Sequence, residues 1–323
     1  MKTAKIGLLG FGNVGGGTYK ILTDNADLIE SRVGVRPEVV RILQRNRNKK
    51  RLVEASPALL TEDPDDILLN PDIDIVVEML GGIEPATSFM LQAMKNGKHV
   101  VSANKAAIAA NYKLLTETAA ANNVEFLFEA SVAGGIPVLA AIEGSLQAND
   151  FVEIMGILNG TTNYILTKMT DEGLSYDEVL KDAQEKGFAE ADPTADVEGL
   201  DAANKLSILI ALAFGRYVAP SDIPTTGISK ITPADIDAAR SRGKKIKLIG
   251  QASLEDGKLN YSVKPVELEA SHPLAGVNNE FNAVYITGDM VGELMFYGKG
   301  AGPLPTGSAV CGDILQIMRD MCK

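Results

Sequence analysis

Two sets of residues in this chain have the types and spacing to do chemistry. The first is Gly10-Phe11-Gly12-Asn13-Val14-Gly15. In a G-x-G-x-x-G run between a strand and a helix, each glycine has its own task. Gly10 makes the tight turn, Gly12 lets the backbone approach a pyrophosphate, and Gly15 permits close helix–strand packing. The helix start behind the loop then offers N–H groups and a positive dipole end to the phosphates. The alternative is a chance glycine-rich turn. The position of the run, after a short apolar stretch and at the head of a helical pattern, favours a dinucleotide site.

The second set is Asp201, Asn204 and Lys205, which at i, i+3 and i+4 share one helix face. From Leu206 onward that helix is nearly all apolar and belongs in a core. The polar face is therefore confined to the first turns, as expected where a helix end opens on a cleft. The competing reading is a surface Asp–Lys pair, worth only about 0.3 kcal/mol.

Two further residues stand where chemistry is possible. Lys105 follows Asn104 at the end of a predicted strand, where ligands bind in open α/β sheets. It is either a cofactor or substrate contact or an exposed lysine ahead of a helix. Glu129 closes the apolar run Val-Glu-Phe-Leu-Phe and precedes a Gly-rich turn. A carboxylate beside buried strand residues needs a partner. That partner is either a cation shared with backbone carbonyls, since hard cations take oxygen ligands, or a salt bridge or cap contact.

The end of the second strand discriminates between the two nicotinamide dinucleotides. An NAD enzyme places a carboxylate there for the ribose 2′-OH. Here the run Gln44 to Arg51 contains no acid, and Arg45, Arg47 and Lys49 would suit a 2′-phosphate. NADP is the favoured cofactor, with NAD as the alternative; a solvated basic loop is the bland reading of the same residues.

The elements that must position these residues alternate regularly in the first part of the chain. Strands are predicted at 5–10, 38–43, 73–80, 99–102 and 124–129, with helices at 14–30, 85–96 and 106–121. Val- and Ile-rich strands without alternation, separated by helices, indicate a parallel sheet covered on both faces, a Rossmann-type doubly wound α/β fold. After about Gly134 the pattern changes. Helices are predicted at 162–170, 175–186 and 199–214, and strands at 151–158, 246–253, 260–265 and 283–287, which reads as an α+β domain. The last segment, 306–321, reads as an amphipathic helix returning to the first domain. The expected division is 1–133 plus 302–323 for dinucleotide binding, and 134–301 for substrate binding and dimerisation. At about 100–200 residues per domain, 323 residues fit two domains.

Composition narrows the class. The net charge of −11 argues against nucleic acid as a partner, because phosphate binding needs a basic surface. No apolar run approaches the about 18 residues that span a bilayer. The start of the chain lacks a signal-peptide cleavage site. The only cysteines, Cys311 and Cys322, form no disulfide framework, so a cytoplasmic location is expected. Their place near the end also disfavours a thiolate-dependent acylating dehydrogenase. There is no HExxH, CxxC or EF-hand pattern, and His99 and His272 read as structural.

Longer motifs carry a resemblance over essentially the whole chain. They are GFGNVG at 10–15, VVEMLGGIEPA at 76–86, SANKAAIA at 102–109, FEASVAGGIPV at 128–138, LNGTTNYIL at 158–166, AEADPTADVEGLDAANK at 189–205 and GKGAGPLPTGSAV at 298–310. Together they resemble the homoserine dehydrogenase family, the 189–205 stretch being its most specific signature. The resemblance implies interconversion of L-aspartate 4-semialdehyde and L-homoserine, on the route to threonine, isoleucine and methionine. It implies that Lys205 is the proton donor, that Lys105 binds cofactor and assists, and that Glu190 and Asp201 hold the homoserine end. It further implies nicotinamide contacts at Gly187 and Gly302, and a homodimer built through the sheet of the second domain. Glu129, with the carbonyls of Val132, Gly134 and Ile136, would bind a structural monovalent cation, typically sodium. Many family members carry a C-terminal regulatory ACT domain or a fused aspartate kinase; this sequence stops at Lys323, so regulation through such a domain is not expected.

The implied chemistry agrees with the residues. Hydride addition to an aldehyde develops negative charge on oxygen, which a nearby ammonium stabilises and then protonates. Two alternatives remain: an NAD(P) oxidoreductase of another amino-acid-like aldehyde, and a nucleotide-binding module without chemistry.

Overall fold

The computed structural model describes residues 2–44 and 52–321. Arg45, Arg47, Lys49 and Cys322 lie outside these. The chain divides into two compact units, Met1–Gly135 with Ala301–Lys323, and Ile136–Gly300.

The first unit is built on six strands: β1 (Lys2–Leu9), β2 (Val35–Leu43), β3 (Leu60–Thr61), β4 (Ile75–Glu78), β5 (His99–Ser102) and β6 (Phe126–Leu127). They run parallel in the order β3-β2-β1-β4-β5-β6. The chain thus steps outward from β1 to β3, then returns to place β4 on the other side of β1. Beyond the carboxyl ends of β1 and β4 lies the switch point at which such sheets bind ligands. All four residues of β4 are buried, which accounts for its apolar, non-alternating sequence.

Five helices connect these strands: α1 (Asn13–Asp24), α2 (Ala26–Val33), α3 (Asp65–Leu68), α4 (Ala86–Lys95) and α5 (Lys105–Ala121). The single helix expected over 14–30 is two, broken at Asn25, which caps the end of one and the start of the other. Asp and Asn have low helix propensity, and Asn25 leaves the helical region at φ −106° and ψ 14°.

The return helix, Pro303–Asp320, opens with proline in its first turn, where the missing N–H costs nothing. It packs on α1 through glycine. A Cβ on Gly17 would stand 1.9 Å from Pro303 O, and one on Gly307 2.8 Å from Thr18 N. Val310, Ile314, Ile317 and Met318 then join Ile6, Leu8, Ile75 and Val77 in one core.

The second unit has an antiparallel sheet of β7 (Phe151–Ile157), β8 (Lys244–Glu255), β9 (Lys258–Glu269), β10 (Phe281–Gly288) and β11 (Gly292–Lys299), ordered β11-β10-β7-β8-β9. Its helices are α6 (Leu139–Glu143), α7 (Gly160–Glu172), α8 (Tyr176–Glu185), α9 (Thr194–Val197), α10 (Leu200–Phe214) and α11 (Pro233–Ser241). Strand β11 was not expected. It lies at the sheet edge with alternate residues exposed and a glycine near each end, a weak strand signal. Helix α10 buries Leu206, Ile208, Leu209 and Ile210 completely, as its apolar sequence demands. Among the described residues, no helix is long and apolar enough to cross a membrane.

Candidate active site

In the first unit the loop after β1 has the geometry that its glycines predict. Gly10 is in the left-handed region at φ 112°. A Cβ on Gly15 would meet Gly10 O at 2.3 Å, so the helix can sit this close only without a side chain. A Cβ on Gly12 would meet nothing within 4 Å. Among the described residues, its lack of a side chain therefore keeps open the space in front of α1, whose N-cap, Gly12, supplies no side-chain cap. That open, uncapped helix start fits a pyrophosphate.

Two adjoining hollows flank the loop and share Met79, Leu80 and Gly81. One reaches Phe11, Gly12 and Gln44 at the end of β2. The other reaches Val14, Asn104 and Lys105 at the start of α5. Lys105 therefore belongs to the wall of this site and is only partly exposed. It is held there because Asn104 caps α5, its side chain accepting from Ala107 N at 3.2 Å.

In the second unit the predicted polar face of α10 is a buried pair. Asp201 and Lys205 are 5% and 7% exposed, which removes the surface-pair reading. Lys205 Nζ donates to Asp201 Oδ2 at 2.7 Å and to Leu158 O at 2.6 Å. Asn159 Nδ2 donates to the same Asp201 oxygen at 2.9 Å and to Asp196 Oδ1 at 2.7 Å. Asn159 also caps α7 by accepting from Thr162 N. Asn204 of the same helix face is partly exposed. A buried ammonium fixed by a carboxylate and a carbonyl is a pre-aimed proton donor, since it loses little freedom on meeting a developing oxyanion.

Family models match the chain over both units: "Homoserine dehydrogenase, NAD binding domain" over residues 10–129, and "Homoserine dehydrogenase" over residues 137–315. The homoserine dehydrogenase of Bacillus subtilis is 46% identical over 321 residues, covering 99% of this chain and 74% of the relative. The chain belongs to the homoserine dehydrogenase family. The family crystal structure from Thiobacillus denitrificans superposes at a TM-score of 0.97 with 44% identity, covering all of this chain and 74% of that one. A hyperthermophilic archaeal homoserine dehydrogenase in complex with NADPH superposes at 0.83, with 27% identity and 98% of each chain covered. A nicotinamide dinucleotide is thus the cofactor class of the family fold.

The remaining family positions are placed as follows. Gly187 is exposed at φ 77°, just past α8. Glu190 is exposed, and its backbone carbonyl accepts from Gln184 Nε2 at 3.1 Å. Gly302, at φ 131°, is the cap residue of the return helix. Glu129 is buried, with its N–H donating to Asp313 Oδ2 at 2.9 Å. The turn behind it has Ala133 and Gly134 at φ 55° and 59°. Val132 is buried, as is Ile136 at the start of the second unit. His99 and His272 each accept a backbone N–H through Nδ1, from Glu125 and Leu274 respectively, and Cys311 is buried.

Sequence reasoning missed Asn159, Asp196 and Leu158 as parts of the Lys205 cluster. Asn159 had a signal, a helix-cap pattern ahead of Gly-Thr-Thr. Its bridge to two carboxylates far along the chain left none.

Proposed function

We propose that the chain is a homoserine dehydrogenase, interconverting L-aspartate 4-semialdehyde and L-homoserine with a nicotinamide dinucleotide. The observation that carries this reading is the buried Lys205–Asp201 pair of the second unit, set within the stretch that matches the family.

The bound dinucleotide supplies hydride chemistry, and the protein supplies binding, orientation and protons. Gly10 to Gly15 hold the pyrophosphate, and Lys105 contributes a positive charge at the hollow behind α1. Glu190 and Asp201 bind the ammonium of the amino acid. The ammonium of Lys205 stabilises the negative charge that grows on the aldehyde oxygen during reduction, then donates its proton there. In the oxidising direction the neutral amine takes the hydroxyl proton back. Asp201 and Leu158 O keep Nζ in place in both directions.

Three finer assignments belong to this proposal. The cofactor is NADP in preference to NAD, on the strength of the basic run that includes Arg45. A monovalent cation, sodium, is held by ligands that in the first unit are Glu129 and the carbonyls of Val132 and Gly134. The protein is a homodimer through the second sheet, whose edge strand β11 leaves Met295 and Tyr297 43% and 52% exposed.

The test is a steady-state assay with aspartate semialdehyde, following NADPH and NADH separately. Semialdehyde-dependent oxidation establishes the activity, and the ratio of the two kcat/KM values decides the cofactor preference. Intact nucleotide binding without oxidation favours a different aldehyde.

A further inference from the structure

Glu78 ends β4 with 0% exposure, in a strand otherwise made of isoleucine and valine. Burying a carboxylate is costly unless its oxygens are satisfied by hydrogen bonds. Among the described residues its partners are neutral donors. Oε1 accepts from Leu80 N at 2.7 Å and Asn104 Nδ2 at 3.3 Å, and Oε2 accepts from Ser102 Oγ at 2.7 Å.

These donors lie on two separate segments that wall the nucleotide hollow. Leu80 begins the turn through Gly81 and Gly82, both left-handed at φ 80° and 73°. A turn of two glycines has much freedom to lose and needs an anchor outside itself. Ser102 ends β5, and Asn104 caps the start of α5. The Asn104 side chain closes the loop between the segments. Besides Glu78 it donates to Gly82 O at 2.7 Å, and it accepts from Ala107 N. Ser102 Oγ accepts in turn from Asn104 N at 3.1 Å. Leu80, Gly81, Gly82, Asn104 and Lys105 line the hollow, whereas Glu78 does not.

We propose that Glu78 is a positioning residue for the nucleotide, its carboxylate locking the 80–82 turn to the start of α5 so that the wall of the hollow is formed before the cofactor arrives. This rests on the nicotinamide-dinucleotide reading of the same site. An apolar residue of similar size would be cheaper to bury; the carboxylate instead carries the tie past the end of the β4–β5 ladder, where Glu78 pairs with Ser102, to the glycine turn and the helix start that follow. Burial pushes the Glu78 carboxyl up, while Ser102, Leu80 and Asn104 pull it back.

The test is direct titration of the protein with NADPH, read by nucleotide fluorescence, in the wild type, Glu78→Gln and Ser102→Ala. Glutamine keeps the shape and can turn its amide toward Ser102, but it loses the charge-assisted bonds. The Kd for NADPH is expected to rise about tenfold in Glu78→Gln and about threefold in Ser102→Ala, the scale of one weakened charge-assisted bond. KM for the semialdehyde at saturating cofactor should hold. A lowered Tm with an unchanged Kd in Glu78→Gln would make the residue a core polar group only, and overturns the proposal. If that variant does not fold, an unchanged Kd in Ser102→Ala overturns it equally. A wild-type protein that binds neither NADPH nor NADH removes the cofactor reading itself, and this inference with it.

Discussion

Asn159 Nδ2 stands 2.9 Å from Asp201 Oδ2, the oxygen that also takes the Lys205 ammonium at 2.7 Å. The amide and the ammonium thus hold one carboxylate oxygen from two sides, and Asn159 ties it onward to Asp196. Asn159→Ala should lower kcat about tenfold or more through a misdirected Lys205, and should cost about 1 kcal/mol through the lost cap on α7. Asn159→Ser separates the two effects. It restores a capping oxygen, so Tm should recover, but it cannot reach both carboxylates, so kcat should not. Recovery of both in the serine variant would show that only the cap matters.

Lys205→Ala removes the proposed proton donor and should reduce turnover by about 10²–10⁴-fold. NADPH affinity should stay within about twofold of wild type, because the nucleotide loop belongs to the other unit. Loss of NADPH binding in a folded variant would place Lys205 in a different role.

The glycines of the first unit should separate binding from stability. Gly12→Ala adds a methyl where nothing stands within 4 Å, so its Tm should hardly move while nucleotide affinity collapses. Gly17→Ala puts its methyl 1.9 Å from Pro303 O. Overpacking of this kind costs about 1–3 kcal/mol or more, and thermal denaturation should show it. The opposite ranking of the two variants would remove the pyrophosphate role of Gly12.

Lys247 on β8 supplies a pH signature. It is buried, and it donates to Asn163 Oδ1 at 3.0 Å, Val277 O at 2.5 Å and Asn278 Oδ1 at 3.4 Å. Burial pushes its ammonium down to about 8, Lys245 adding to the effect and Asp171 opposing it. Below that pH both folded and unfolded chains carry the proton, and the burial penalty is complete. Between about 8 and the ordinary lysine value the unfolded chain binds more protons, so stability rises with pH, by about 3 kcal/mol at most. Urea unfolding of the wild type and Lys247→Met across this range should show the rise only in the wild type. Parallel curves would mean that Lys247 keeps its charge throughout.

Much of the first unit was legible because its signals are local. The glycine spacing, the Val- and Ile-rich strands and the proline and glycine boundaries each report on a few neighbouring residues. The break at Asn25 was also local, and was missed because the apolar pattern runs through it. Strand β11 was illegible for another reason: an edge strand half in solvent has little apolar pattern to show. In the site, Asp201 and Lys205 announced themselves by helical spacing. Glu78 offered the same signal as Glu129, a carboxylate in an apolar strand. Its partners, like those of Asn159, come from segments that meet only in the folded chain.

The pairing of α1 with the return helix has a bearing on the order in which the chain can fold as it is made. Ile136–Gly300 is contiguous, and it can complete its core while the rest is still being synthesised. The nucleotide-binding unit cannot. Val310, Ile314 and Ile317 fill space beside Ile6 and Leu8, so β1 must wait, partly uncovered, for a helix made only after the whole of Ile136–Gly300. A ribosome pausing between residues 136 and 300 would therefore present a half-built dinucleotide fold to chaperones while the second unit is still being made.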